Sequence, residues 1–135
     1  MSSLDQSALL KAAVAAAARA YAPYSGFPVG AALLTESGEV ITGCNVENAS
    51  YGLTMCAERV AVFRAVAEGH RKFTAIALSV PGGGAPCGAC RQVLNEFNPD
   101  LTVLIGDENG TLHHELTLSD LLPHSFGPDS LKTND

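Results

Sequence analysis

Two short segments far apart in the chain, Cys56-Ala57-Glu58 and Pro86-Cys87-Gly88-Ala89-Cys90, constrain the fold more than any other feature. Cysteine thiolates are soft ligands suited to zinc, and these can share one ion only if the fold closes the two segments onto each other. A structural zinc site completes its tetrahedron with four protein ligands, whereas a catalytic site leaves the fourth position to water. Three cysteines beside a carboxylate, Glu58, therefore point to hydrolytic chemistry. The apolar pattern after each segment is helical, which puts Cys56 at the start of one helix and Cys87 and Cys90 at the start of another. A helix N-terminus carries unpaired N–H groups and positive potential, so it favours thiolate over thiol. The step from Cys87 to Cys90 turns both sulfurs to one side.

The 135 residues suffice for one core, and no linker or repeat divides them. One domain over residues 1–126 is expected, with 127–135 a mobile tail. Net charge is −6 and no basic run occurs, which argues against nucleic acid as a partner and favours a small neutral ligand. The alanine-rich stretch from Ala12 to Ala22 lacks the basic flank of a secretion signal, and no apolar run reaches membrane-spanning length. A cytoplasmic protein is expected, with its cysteines reduced and available to metal.

Residues Ser3 to Tyr21 read as a first helix with Leu10, Val14, Ala17 and Tyr21 on one face, ending before Pro23. Strands are expected at Val29–Leu34, Val40–Cys44, Thr74–Val80, Leu101–Ile105 and Thr111–Glu115, the last two joined through Asn109-Gly110. Helices fill Cys56–Glu68, apolar nearly all round and so expected to be buried, and the segment from Pro86 to Phe97. The order α-β-β-α-β-α-β-β predicts an α/β fold, a mixed sheet flanked by helices in three layers. Gly82-Gly83-Gly84 lacks the lysine of a phosphate loop and reads as a connection.

Three thiolates around a divalent ion leave a net negative centre, and Glu58 adds to it. Arg59 and Arg91 each adjoin a site residue and are candidates to offset that charge; Arg59 is the favoured one. Glu58 is the acidic residue nearest the cysteines in sequence and is assigned the proton shuttle. A redox pair at Cys87 and Cys90 and a closed site with Cys44 as fourth ligand are the alternatives. Cys44, at a strand end, reads rather as a small buried apolar residue. The scattered His70, His113, His114 and His124 read as surface or loop residues.

Cys56-Ala57-Glu58 with Pro86-Cys87-Gly88-Ala89-Cys90-Arg91-Gln92 resembles the signature of the zinc nucleoside deaminases, in which a glutamate that does not bind the metal acts as general acid and base. Tyr24 to Ala32 and Gly43 to Asn48 resemble the small homotetrameric cytidine deaminases in particular. The resemblance spans about Ala20 to Phe126. It implies a cytidine-deaminase-like three-layer α/β/α fold with a five-stranded mixed sheet. It implies one zinc per chain on Cys56, Cys87 and Cys90, catalysis by Glu58, and thiolate neutralisation by Arg59. Substrate contacts are implied for Phe27, Asn45, Glu47 and Ala57, and for Tyr51 and Phe126, which resemble residues reaching into a neighbouring subunit's pocket. A nucleoside substrate, no membrane or nucleic-acid partner, and a homotetramer with shared active sites follow as expectations. Asn45 offers donors and an acceptor and Glu47 only acceptors, a pair suited to a sugar hydroxyl; alternation along an extended segment turns both the same way. The implied reaction is hydrolytic deamination of cytidine and 2′-deoxycytidine in pyrimidine salvage. Another aminopyrimidine nucleoside is the nearest rival, and a non-catalytic zinc module is the rival from a different class.

Overall fold

The computed structural model describes residues 1–131. Helix α1 (Ser3–Ala17) is followed by strands β1 (Gly30–Thr35) and β2 (Val40–Cys44), helix α2 (Ala57–Ala67) and strand β3 (Phe73–Ser79). Helix α3 (Gly88–Phe97), strands β4 (Thr102–Gly106) and β5 (Leu112–Thr117) and a short helix α4 (Leu118–Leu121) complete the order. Five strands form one sheet in the order β2-β1-β3-β4-β5. β1 runs antiparallel to both of its neighbours, β3 and β4 are parallel, and β5 returns antiparallel to β4. The fold is the three-layer α/β arrangement expected from the element order.

Alternation along the central strands sorts their side chains between two apolar clusters. Ala31, Leu33, Ile76, Leu78, Val103 and Ile105 share one cluster with residues of α2 and α3. Ala32, Ala75, Ala77 and Leu104 share the other with Leu9, Leu10 and Ala13 of α1. The second cluster is rich in alanine, so α1 lies close against the sheet. The face that α1 buries is Leu9, Leu10, Ala13 and Ala16, not the Leu10–Val14–Ala17–Tyr21 face expected.

The first helix also ends sooner than predicted. The N–H groups of Arg19 and Ala20 reach back to the carbonyls of Ala16 and Ala17, a tight final turn, and Tyr21 then leaves the helix. Its N–H bonds the Asn45 carbonyl while its own carbonyl accepts from Glu47 N–H, bridging Tyr21 to Val46. Helix α2 is buried along Ala57, Glu58, Ala61, Val62 and Ala65, but Phe63 is 49% exposed, so the expectation of an all-round buried helix holds for one face only. In the glycine run, Gly82 N–H donates to Glu108 Oε2, and a Cβ on Gly83 would lie 2.8 Å from the His113 ring. Pro128–Leu131 form a 3₁₀ turn; the expected mobile tail falls for the rest, 132–135, outside the described residues.

Two glycines set the spacing of the layers. A Cβ on Gly30 of β1 would lie 2.0 Å from the Ala13 carbonyl oxygen of α1. One on Gly43 of β2 would lie 2.4 Å from the Ala61 nitrogen of α2 and 2.6 Å from the Ala57 oxygen. Only glycine lets the first turns of α2 approach the strand that closely. Gly43→Ala is expected to cost about 3 kcal/mol, because backbone and not a pliable side chain must move. Gly52→Ala, where a Cβ meets nothing within 4 Å, should stay within about 0.5 kcal/mol of the parent. Urea denaturation of both variants measures the difference.

Candidate active site

The N-termini of α2 and α3 converge on the three cysteines. Cys56 is the N-cap residue of α2 and Cys87 that of α3, both extended, and neither side chain caps its helix, so both sulfurs are left for other partners. Cys90, in the first turn of α3, is fully buried. Cys56 Sγ stands 3.9 Å from Cys87 Sγ, which is 3.4 Å from Cys90 Sγ, and all three lie within 4.8 Å of one another. Four tetrahedral ligands at a Zn–S distance of about 2.3 Å place sulfurs roughly 3.8 Å apart, so the cluster already has the size of a zinc site.

Electrostatics agree with metal ligation. The Cys56 thiol is brought down to about 5 by hydrogen bonds, chiefly from Cys90 and then from Arg59 and Cys87. The Cys90 thiol is pushed up in turn, because it holds the proton that Cys56 gives up and because it is buried. Arg59 Nη2 donates to Cys56 Sγ at 3.4 Å, and that contact strengthens the hold of Arg59 on its own proton. Arg59 Nε is buried and has no hydrogen-bond acceptor among the described residues, while Nη2 of the same guanidinium turns to the cluster. A set of thiolates offsets the guanidinium charge, and the residues present fit zinc. Arg91 is occupied elsewhere: its Nε donates to the Pro86 carbonyl at 2.7 Å and its Nη1 to the Leu121 carbonyl at 2.8 Å. Of the two arginines, Arg59 is the one that contacts a cysteine of the cluster.

Cys44 does not join the cluster. Its half-buried Sγ faces the Arg19 carbonyl at 3.5 Å, which leaves three cysteine ligands, not four, among the described residues. His70 pairs with Glu39 and His113 with Asp107, at the surface and away from the sulfurs.

A cavity of about 540 Å³ opens beside the cluster, lined by Cys56, Ala57, Glu58 and Cys87 together with Phe27, Asn45 and Glu47. Glu58, 4% exposed, has its carboxyl pushed above the usual range, mainly by burial and further by the Cys56 charge. Asn45 and Glu47 reach the cavity from the extended segment fixed at Val46 by bridges to Tyr21 and Met55. Neither is a free polar group. Asn45 Oδ1 accepts from Val29 N–H and its Nδ2 donates to the Phe27 carbonyl, both at 2.9 Å. Glu47 accepts from the N–H groups of Tyr24 and Ser25 and from the Ser25 hydroxyl. These bonds, the hydroxyl's first, hold the Glu47 carboxyl below its usual range.

Two residues implied by resemblance stand outside this cavity. Tyr51 is 74% exposed, its ring 5.9 Å from that of Tyr24, in an adjoining hollow shared with Ser25, Glu47 and Thr54. Phe126 is 60% exposed, and its carbonyl accepts from Gln92 and Asn95 of α3. Lining residues that the sequence reading did not single out include Ser25, Thr54, Met55, Val80 and Ala85. Thr54 and Met55 directly precede the first cysteine and Ala85 precedes Pro86, a proximity that was the available signal.

Three cysteines at paired helix N-termini that could hold a metal ion, with a buried carboxylate lining the adjoining cavity, have the arrangement of a metal-assisted hydrolase. A profile of the cytidine and deoxycytidylate deaminase zinc-binding region matches residues 3–105, and the chain belongs to that family. It is 49% identical to a cytidine deaminase of Halalkalibacterium halodurans over 135 residues, covering 95% of this chain and 98% of the relative. With a cytidine deaminase of Mycobacterium tuberculosis it shares 45% identity, covering 97% and 96% of the two chains. A crystal structure of cytidine deaminase from Burkholderia pseudomallei superposes with a TM-score of 0.85 at 51% identity, over 93% of this chain and all of that one.

In zinc-stripped protein, alkylation of Cys56 should set in with a midpoint below that of an ordinary thiol, while Cys90 stays unlabelled at neutral pH. Arg59→Gln should move the midpoint upward, since the thiolate loses a cationic donor, and should weaken zinc retention about 10- to 100-fold in chelator competition. Peptide-resolved mass spectrometry across pH 4–9 reads the first effect. An unshifted midpoint in the variant would remove Arg59 from the role.

Proposed function

We propose that this chain deaminates cytidine and 2′-deoxycytidine hydrolytically, giving uridine or 2′-deoxyuridine and ammonia. The observation that carries the reading is one cavity bordered by Cys56 and Cys87 of the three-cysteine cluster, a buried glutamate and a polar pair suited to a sugar. Zinc held by Cys56, Cys87 and Cys90 supplies Lewis acidity, which brings the ionisation of water toward neutral pH.

Glu58 moves the protons. It accepts one from the attacking water and delivers it to N3 of the base, then takes the second from the new C4 hydroxyl and passes it to the amine, so that the C4–N bond breaks, ammonia leaves and the water oxygen remains as the carbonyl. A carboxyl raised by burial suits a group that must both accept and release protons. Asn45 donates to a ribose hydroxyl, mainly at the 3′ position, and Glu47 accepts from the same hydroxyl, with Phe27 against the pyrimidine and Ala57 beside it. Arg59 compensates the thiolate charge.

The functional unit is one domain over residues 1–126, followed by a tail, acting as a cytoplasmic homotetramer in pyrimidine salvage. Tyr51, Phe63 and Phe126 support association: large exposed apolar side chains on a small domain favour covering by another copy. In a tetramer Tyr51 and Phe126 contribute to a neighbour's cavity.

Glu58→Gln should keep its zinc and its melting temperature but lose about 10²- to 10⁴-fold in kcat. The assay is loss of the cytidine ultraviolet spectrum with stoichiometric ammonia, run beside 2′-deoxycytidine and other aminopyrimidine nucleosides. Turnover near that of the parent would remove Glu58 from the role, and turnover of the other nucleosides alone would replace the substrate. Light scattering should give the mass of four chains, and an active monomer would exclude shared cavities.

A further inference from the structure

The segment from Pro23 to Pro28 carries Phe27 to the cavity, yet all six of its residues are exposed. Its backbone has little support of its own, with Gly26 N–H bonding the Ala22 carbonyl. Side chains of Asn45 and Glu47 do the rest. Glu47 Oε1 accepts from Tyr24 N–H at 2.9 Å and Ser25 N–H at 3.0 Å, and Oε2 accepts from the Ser25 hydroxyl. That same Ser25 Oγ accepts from Phe27 N–H at 3.0 Å. Asn45 Nδ2 holds the Phe27 carbonyl at 2.9 Å. The peptide groups on both sides of Phe27 are therefore tied to the polar pair assigned to the sugar, one through Asn45 directly and the other through a single oxygen, Ser25 Oγ.

The remaining bonding capacity is narrow. A carboxylate offers about four lone-pair positions, of which Glu47 uses three in this network. Asn45 retains one amide hydrogen. What is left is an acceptor on Glu47 and, on Asn45, one donor and the second lone pair of Oδ1, enough to take both the hydrogen and the oxygen of one hydroxyl group. A ligand hydroxyl bound there would join the network that positions Phe27.

We propose that Ser25 is a positioning residue: its hydroxyl links the sugar-holding carboxylate Glu47 to the backbone of Phe27, so that seating the sugar and placing the aromatic against the base are one coupled event. This rests on the assignment of Asn45 and Glu47 to the sugar. Ser25 does not act on the reacting atoms. Its effect falls on the position of Phe27, and hence on KM more than on kcat.

The test uses full-length, zinc-loaded protein and steady-state kinetics with cytidine and 3′-deoxycytidine. Ser25→Ala should raise KM for cytidine about tenfold, the scale of one hydrogen bond to a charged group, with kcat within about twofold. Ser25→Thr, which keeps the hydroxyl, should recover most of the loss. In a Phe27→Ala background Ser25→Ala should cost less than about twofold, because neighbouring residues acting through one group are not additive. Additive effects, or an unchanged KM in Ser25→Ala, would overturn the proposal. Zinc content and melting temperature check the fold; if the alanine variant loses either, Ser25→Cys, of similar size with a weaker hydrogen bond, must give the same ordering. Equal KM for cytidine and 3′-deoxycytidine in the parent would sink the sugar assignment itself, an outcome read independently of the Ser25–Phe27 coupling.

Discussion

Thiolates repel one another, and this chain holds three cysteine sulfurs within 4.8 Å. The architecture makes that possible by pointing two helix N-termini at the same place, where the backbone contributes positive potential and unpaired N–H groups. Each cysteine at a helix start leaves its side chain uncommitted to capping, so the sulfurs face each other. Arg59, one turn into α2, adds the cation that two helix ends alone do not supply. The sheet serves this arrangement. Parallel pairing of β3 with β4 lets α3 cross on the same face as α2, and Gly43 lets α2 close on β2.

Much of this was legible in the sequence because the functional residues are also the structural signals. Cys56 and Cys87 mark the helix starts, and period-2 alternation in β1, β3 and β4 sorts Ala31, Ile76 and Val103 from Ala32, Ala77 and Leu104. What was not legible depends on contacts distant in sequence. Nothing in Ala18-Arg19-Ala20 stops a helix; α1 ends because Tyr21 pairs with Val46, a partner 25 positions away when counted from 21 to 46. Gly30 and Gly43 look like weak strand residues until the helices they admit are in view. The sequence favoured Arg59 over Arg91 without showing the contacts that distinguish them, the bond from Arg59 to Cys56 and those from Arg91 to the carbonyls of Pro86 and Leu121.

The candidate site shows the same division. The types of Asn45 and Glu47 announce hydrogen bonding, but not that both already bond the 24–29 segment. Polar residues in an extended loop are commonly read as free for a ligand. Here they have partners within the chain, and their capacity for a further one is what remains. Tyr51 and Phe126 carry the opposite lesson: their exposure on one chain shows where apolar surface is left uncovered.

The arginine that does not face the cysteine cluster has its own consequence. Arg91 joins the carbonyl just before Cys87 to that of Leu121, while Gln92 and Asn95 on the same helix hold the Phe126 carbonyl. The final segment of the domain and the loop bearing a metal ligand thus share one rigid mount. Change in either is felt by the other, so a pull on the segment around Phe126 reaches the same helix that presents Cys87 and Cys90.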